Sequence, residues 1–586
     1  MKKKYLKTLA VLAILTSVTS CGNSATSSVI SSATSSSATS SSSSSIKADL
    51  TEKDLEKGKT TYTTKDGKTA NLNQDTLYRN ENSPHLNPVA EGGQHVFVAP
   101  FTFKSGTSDY DKKAVTATDE LRNKIVTTFS GSDEEMAAKT DNTAYSVESF
   151  YSKSSYGKAK FECDVMPWIT YNGTASDFIN SVGSSSAGVV AAEYCRNWYI
   201  TEYAKDNHGE IGADAKPFSY YDADGDGFMD LIWVVYTYPY DSNTDWWAYV
   251  TYTANQANYT SPAVKTLGWA STNFMTKGCN GYDSHTFIHE TGHTFGLDDY
   301  YDYNNKWKPM GSVDFMDQNL GDHSAFSKFT LGWCNPYILT EEQLKGGKTA
   351  VITLRAFTNS GDALVLASPN YNGTAFDEYL ILELVGPTGL AKNDYVNGYE
   401  NTTGYTKPGV RMLHVDARVY NSLSSDKYAH DTYIADADKI GQEATELRVD
   451  NSYGGRNNIS TNTDTFPYTD STGKSATGYY SLVSLIQSNG NSTNNWMTSA
   501  QYNAGTSDLF RKNSSFSMKS SAFNQYMPSH SNLWNKAKTI TGRISTGKEI
   551  YTIDQNYTCN YSMDVLSIEE DADYGYTCKI QITLDE

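Results

Sequence analysis

Two histidines with a glutamate between them stand close together in the segment FIHETGHTFGLDDYYD. His289 and His293 are four residues apart, and Glu290 directly follows the first of them. On a helix, residues at this spacing share one face, so both imidazoles can direct a nitrogen at the same point. Zinc accepts neutral imidazole nitrogens at tetrahedral angles. The spacing therefore predicts a helix over about residues 284–295 that binds zinc through the two histidines.

A catalytic zinc site needs a third protein ligand and an open fourth position. Gly296 can adopt a positive φ angle, end the helix and turn the chain back. The third ligand is expected just beyond it, where Asp299 lies six residues after His293 and Asp298 is the alternative. Glu290 would lie beside the metal, where its carboxylate can take a proton from an activated water. A surface helix that carries two histidines by chance is the alternative interpretation.

A second group of acids lies in the segment YYDADGDGFMDLIW, which turns at Gly227. Asp222, Asp224 and Asp226 stand at alternating positions, and Asp230 follows at the ninth position of the loop. Carboxylates at this density repel one another unless a hard cation neutralises them, and calcium accepts such ligands in flexible geometry. Trp233 stands where an EF-hand has glutamate, and a strand pattern follows. The segment therefore predicts a structural calcium loop that is not an EF-hand, with a solvated acidic turn as the alternative.

The first residues, MKKKYLKTLAVLAILTSVTSC, combine a basic start with an apolar run that is too short to span a bilayer. This pattern is typical of a signal peptide over residues 1–20. Its end resembles a bacterial lipobox, which implies cleavage before Cys21, lipidation of the Cys21 sulfur and membrane contact through that lipid anchor alone. Residues 21–47 are rich in serine and predict a flexible tether. We therefore expect a lipoprotein on the extracellular face of a bacterial cell, with ordinary secretion as the alternative.

The chain has 586 residues and a formal net charge of -19, which argues against a nucleic-acid-binding surface. None of its cysteines forms a CxxC pair, so zinc ribbons are excluded. Export permits disulfides, and Cys559 with Cys578 is the most local pairing among several, with buried thiols as the alternative. Helical and strand-like patterns alternate at first, and short strand-like runs follow from about residue 349. The sequence thus predicts an α+β body followed by β-rich, sandwich-like layers.

The predicted divisions of the folded part follow these changes of pattern. They are a polar N-terminal segment and candidate pro-segment at 48–91, a catalytic domain at 92–348, a β-rich region continuous with it at 349–535, and a final β segment at 536–586.

The segment HETGHTFGLDD resembles the zinc motif HExxHxxGxxH/D of the metzincin-type peptidases. More narrowly, the chain resembles the M6 family, the immune inhibitor A-like secreted metallopeptidases of bacteria. An acid commonly takes the third zinc position in that family, which suits Asp299. The resemblance covers about Gly92 to Phe516, and includes GGQHVFVAPFTF, SVESFYSKSSYGKAKFECDV, MGSVDFMDQNLGDHSAFSKFTLGW, EYLILEL and PGVRMLHVD. It implies a metzincin-like catalytic domain with a methionine turn below the metal, for which Met316 is the first candidate and Met310 the second.

These residues and the resemblance together predict a zinc-dependent endopeptidase with Glu290 as its general base. Its expected substrates are extracellular proteins or peptides, host proteins among them. The alternative is a non-catalytic adhesin or binding module on a peptidase-like scaffold, with DWWAYVTY as its aromatic surface. Glu290 disfavours this alternative, because a binding module does not need a base. A hydrolase of non-peptide amides or esters is a third hypothesis, which only the family resemblance disfavours.

Overall fold

The structure is a computed structural model, and it describes most of the chain after residue 47. Residues 1–47, with the predicted signal peptide, the Cys21 lipidation site and the tether, lie outside the described residues. The described residues are 48–63, 69–71, 86–90, 92–139, 145–205, 215–276, 281–302, 307–396, 404–417, 419–421, 432–433, 447–449, 463–469, 475–490, 502–524, 538–543, 549–553 and 559–585.

Helices and strands both occur along the described part of the chain. The α-helices are α1 Asp119–Ser130, α2 Asp133–Ala137, α3 Val147–Ser154, α4 Ala175–Ser181, α5 Ala187–Trp198, α6 His285–Thr294, α7 Ala325–Thr330, α8 Glu341–Leu344, α9 Phe357–Ser360, α10 Asn393–Val396 and α11 Ser521–Asn524. The strands are β1 Glu56–Lys57, β2 Thr61–Thr63, β3 Thr69–Asn71, β4 Gln94–Phe103, β5 Phe161–Val165, β6 Ile169–Tyr171, β7 Leu231–Tyr236, β8 Tyr249–Tyr252, β9 Thr266–Ser271, β10 Tyr337–Leu339, β11 Ala350–Arg355, β12 Ala363–Ala367, β13 Glu378–Val385, β14 Gly409–Asp416, β15 Val419–Asn421, β16 Thr432–Tyr433, β17 Leu447–Val449, β18 Thr463–Thr469, β19 Ser475–Ser481, β20 Val483–Ile486, β21 Ser515–Ser517, β22 Lys538–Arg543, β23 Glu549–Ile553, β24 Tyr561–Asp571 and β25 Gly575–Leu584.

The first sheet, here called the N-terminal sheet, has the strand order β5-β4-β7-β9-β8, with β6 also paired to β4. Its strands run parallel except for the edge strand β8, which is antiparallel to β9. Side chains alternate between two cores, so Val96 and Val98 of β4 enter one core and Phe97 and Phe101 enter the other. A parallel sheet covered on both faces has such continuous apolar strands. Strands β4 and β7 lie in the apolar runs QHVFVAPFTF and DLIWVVYTY.

Helices cover both faces of the N-terminal sheet. Helix α5 buries Ala191 and Cys195 against one face, whereas helices α1, α3 and α6 belong to the core on the other. Helix α1 begins at Asp119, because the Thr118 hydroxyl accepts a hydrogen bond from the Leu121 N–H and caps the helix. Gly131 follows its last residue. Helix α6 packs against strands β8 and β9, which brings its residues to the edge of the sheet.

Most later strands form two further large sheets. One has the order β1-β10-β12-β13-β14-β20 and the other the order β11-β25-β24-β21. Smaller sheets have the orders β2-β3, β16-β15-β17 and β19-β18-β23-β22. Pairing joins distant parts of the chain, since β1 of the N-terminal segment lies antiparallel to β10 and the last strand β25 lies antiparallel to β11. From Ala48 onward the chain therefore forms one compact unit.

The protein is a mixed structure of helices and strands with several mixed sheets, which is compatible with the α+β class that the sequence predicts. No helix in the described part of the chain is long and apolar enough to cross a membrane.

Cys559 and Cys578, the most local of the possible disulfide pairs, are not bonded to each other. The five cysteines within the described residues are buried free thiols, and Cys279 lies outside those residues. The hairpin of β24 and β25 explains the separation, because it pairs Cys578 with Ile568 while Cys559 precedes the first residue of β24. The two sulfurs therefore lie at different ends of a long ladder, far beyond the reach of a disulfide.

Candidate metal centre

Helix α6 is held in place by side chains from three other elements. The Tyr151 hydroxyl of α3 donates to the Ile288 carbonyl at 2.6 Å, and the Trp233 indole N–H of β7 donates to the Thr291 hydroxyl at 3.2 Å. From the edge strand β8, the Tyr252 hydroxyl donates to the His293 carbonyl at 3.1 Å. Two of these bonds reach helix carbonyls and the third reaches a helix side chain, and together they fix the rotation of the helix about its axis.

The helix ends as the sequence predicts. Gly296 has a φ of 88°, and the Leu297 N–H donates to the Gly292 carbonyl at 3.4 Å. This is the Schellman arrangement, which needs a residue that tolerates the left-handed region. The turn reverses the chain, so the residues just after it return to the histidine face of the helix.

The reversed chain brings Asp299 to the two histidines. Asp299 Oδ1 lies 3.0 Å from His289 Nε2 and 3.2 Å from His293 Nε2. One ligand atom from each of the three residues falls within 4.8 Å of the others, so the group could hold a metal ion. In a tetrahedral zinc site, ligand atoms about 2.05 Å from the ion are about 3.3 Å from one another. The observed distances are close to that value.

The protonation of the two rings follows from their outer contacts. His289 Nδ1 lies 2.8 Å from the Phe315 carbonyl and His293 Nδ1 lies 2.7 Å from the Leu297 carbonyl. A carbonyl only accepts, so each Nδ1 carries a hydrogen and each Nε2 offers a lone pair. Both lone pairs face Oδ1 of Asp299, so three acceptor atoms lie in contact and need a metal ion or a proton between them. When no metal is bound, a proton stays on His293. Burial lowers the pKa of His293, but the Asp299 carboxylate outweighs burial and raises that pKa to about 10.

Asp299 and its rival Asp298 are both buried, but only Asp299 belongs to the metal-ligand group among the described residues. Burial opposes ionisation of Asp299, yet the adjacent imidazoles hold its pKa well below its usual range. The Tyr301 hydroxyl also donates to this carboxylate, which fixes its orientation. The choice between the two aspartates could not be made from spacing alone.

Glu290 lies beside this group rather than in it. Its side chain is half-buried, and its carboxylate accepts a hydrogen bond from the Val250 N–H of the edge strand β8. Burial raises the pKa of Glu290 above its ordinary value, although the two histidines partly oppose this. A carboxylate in this position is well placed to accept a proton from a water held at the metal group.

Met316, rather than Met310, lies directly below the helix. A Cβ added at Gly292 would lie 2.5 Å from the Met316 sulfur, so the methionine fills the space that this glycine leaves. The preceding residue, Phe315, supplies the carbonyl that orients His289. Both methionines are fully buried, but it is the Met316 sulfur that lies against Gly292, which favours Met316 over Met310 as the methionine-turn candidate.

The acidic loop brings together three of its four predicted ligands. Asp222, Asp224 and Asp226 each offer an oxygen within 4.8 Å of the others and could hold a metal ion. Asp230 is outside this group, because its two oxygens accept the backbone N–H groups of Ala223 and His95 at 3.0 and 2.7 Å. It closes the loop onto strand β4.

The loop also contains a carboxylate oxygen without a hydrogen bond. Asp222 Oδ1 is buried and has no hydrogen-bond partner among the described residues. Burial, with neighbouring carboxylates, raises the pKa of Asp226 to about 6 and that of Asp230 to about 7. These features indicate a site with excess negative charge.

Several residues that build the site carry no signal in the sequence. The carbonyls of Phe315 and Leu297 and the N–H of Val250 are backbone groups, which any residue offers. Tyr252 and Tyr301 contribute their side-chain hydroxyls, but the chain has 43 tyrosines. Only the fold shows which of these tyrosines lie at the site.

The sequence matches no protein-family model, and no curated protein matches it. The interpretation of the site therefore depends on its own geometry and on the motifs in the sequence.

Proposed function

We propose that this protein is a zinc-dependent endopeptidase of the metzincin type, related to the M6 family. The observation that carries the proposal is the convergence of three acceptor atoms, from His289, His293 and Asp299, with Glu290 beside them. Two histidines and a carboxylate with an open position suit catalytic zinc. They also suit ferrous iron, but a carboxylate base next to the metal supports hydrolysis rather than oxygen chemistry.

The mechanism assigns a task to each residue. His289, His293 and Asp299 would hold the zinc ion, and zinc bound there would supply a Lewis acid able to lower the pKa of a water toward about 7. Glu290 takes the proton of the attacking water and passes it to the leaving amine. Tyr301 orients the Asp299 carboxylate, and the Phe315 carbonyl keeps the His289 Nε2 directed at the site.

The edge strand β8 supports a polypeptide as the substrate. It ends the N-terminal sheet, and its Val250 N–H reaches Glu290, so its outer side borders the metal group. An extended peptide can add to such an edge through main-chain hydrogen bonds. Proteins outside the cell are the substrates that the predicted export signal favours.

Metal analysis and a cleavage assay test the proposal. The purified chain from Ala48 onward is expected to contain equimolar zinc and to cut casein or gelatin. A zinc chelator should abolish cutting, and added zinc should restore it, because the water is activated only at the metal. Cutting that continues in the metal-free protein would contradict the proposal. Equimolar iron in place of zinc would point to oxygen chemistry.

We further propose that Asp222, Asp224 and Asp226 bind a structural calcium ion. With zinc saturating, calcium at 100 times its Kd should stabilise the protein by about 2.7 kcal/mol, which a thermal melt detects. Asp224→Asn should remove this response. Asp109→Asn, which changes an exposed carboxylate outside the loop, should keep it. An equal response in both variants would show that calcium acts elsewhere.

A further inference from the structure

A pocket of about 390 Å³ opens beside the start of the edge strand β8. Its walls are mainly aromatic, and its rim carries Lys113, Asp241, Ser242 and Thr244. The aromatic walls come from Tyr110, Tyr238, Tyr240, Trp246 and Trp247. The size is ordinary for a ligand site, and no residue of the metal centre lines the pocket.

The walls are fixed by contacts among themselves. The rings of Tyr238 and Trp246 stack at a centroid distance of 4.4 Å, and those of Tyr110 and Tyr238 stack at 4.9 Å. The Trp246 indole N–H donates to the Tyr110 hydroxyl at 2.7 Å. On the other side, Tyr240 stacks on Phe274 at 4.4 Å. Because these rings are already in place, binding would cost little ordering of side chains.

The position of the pocket connects it to the metal centre. Trp247 is three residues before Val250, whose N–H contacts Glu290. Trp247 lies two residues before β8 begins, and three residues span at most about 10 Å, so the pocket begins within about 10 Å of Val250. A peptide that lies along β8 would thus present a side chain to the pocket about three residues from the bond at Glu290.

We propose that this pocket selects an aromatic side chain of the polypeptide substrate, about three residues from the bond that is cut. The proposal rests on the peptidase function proposed above and adds the feature that the substrate must carry. Aromatic walls favour an aromatic occupant, since ring pairs add to the gain from buried apolar area. The charges of Lys113 and Asp241 on the rim cancel, so the pocket has no preference for a charged side chain.

Cleavage-site mapping by mass spectrometry on denatured protein substrates tests the proposal. The wild-type chain from Ala48 onward should enrich phenylalanine, tyrosine or tryptophan at one position about three residues from the cut. Two peptides that differ only there, phenylalanine against alanine, should differ roughly 10- to 100-fold in kcat/KM. Ser242→Trp, which fills the pocket from its exposed rim, and Trp247→Ala should each reduce this ratio to within about threefold.

Tyr259→Ala is the matched control, because it removes an exposed aromatic ring that does not line the pocket. It should retain the wild-type ratio. A wild-type enzyme that cuts without an aromatic preference, or a ratio that survives in both pocket variants, overturns the pocket proposal alone. A wild-type protein that binds zinc and cuts no substrate overturns the peptidase function, and the pocket proposal with it.

Discussion

With Glu290 replaced by glutamine, the protein is expected to bind zinc normally and to cut peptide bonds at least about 100-fold more slowly. Glutamine has the size of glutamate and can still accept the hydrogen bond from the Val250 N–H. It cannot take a proton from water at neutral pH, and loss of a general base costs about 10²- to 10⁴-fold. Zinc content by elemental analysis and kcat/KM on a fluorogenic peptide measure the two effects.

Glu120→Gln is the matched control, because Glu120 is an exposed residue of α1. It should leave both measurements unchanged. If Glu290→Gln cuts as fast as the wild type, Glu290 is not the base. If both Glu290→Gln and the zinc-loaded wild type are inert toward varied proteins, the adhesin alternative becomes the better interpretation.

Asp299→Asn is expected to lose zinc. Removing only an outer partner of a metal ligand costs about 10- to 100-fold in affinity, so loss of a charged ligand should cost more than about 100-fold. The Asn oxygen is uncharged, so it would no longer offset part of the positive charge of the ion that the two neutral imidazoles also bind. Competition against a chromophoric zinc chelator measures the affinity, and cleavage should fall in parallel at limiting zinc.

The neighbouring acid provides the control. Asp298 is equally buried, but it lies outside the metal-ligand group of the described residues. Asp298→Asn should therefore bind zinc with nearly the wild-type affinity. The reverse result, with zinc lost from Asp298→Asn and kept by Asp299→Asn, would exchange the roles of the two acids.

The helix at the centre of the site could be predicted closely from the sequence. The expected range of about 284–295 compares with the observed His285–Thr294, because local rules determine both ends. The spacing of the two histidines shows which face of the helix binds the metal, and Gly296 shows where the helix ends. Such signals depend on a few neighbouring residues, which is why they can be interpreted without a fold.

Where a feature depends on contacts between distant parts of the chain, the sequence could not decide between the candidate residues. Met316 and Met310 are equally buried, and only the contact with Gly292 distinguishes them. Asp230 has the spacing of a calcium ligand, but strand β4 supplies the His95 N–H that occupies one of its oxygens. The choice between a disulfide and free thiols at Cys559 and Cys578 could not be made for the same reason, since hairpin register determines the distance between the two sulfurs.

The pairing of strand β11 with the last strand, β25, has a consequence for the order of folding. Leu354 pairs with Cys578, so the core around β11 cannot close until nearly the whole chain is available. Such late closure slows folding and leaves hydrophobic strand edges open to aggregation during synthesis. A chain that ends before Gly575 would lack β25 and would leave β11 without its partner. Loss of this last strand alone should therefore destabilise the whole compact unit rather than trim it.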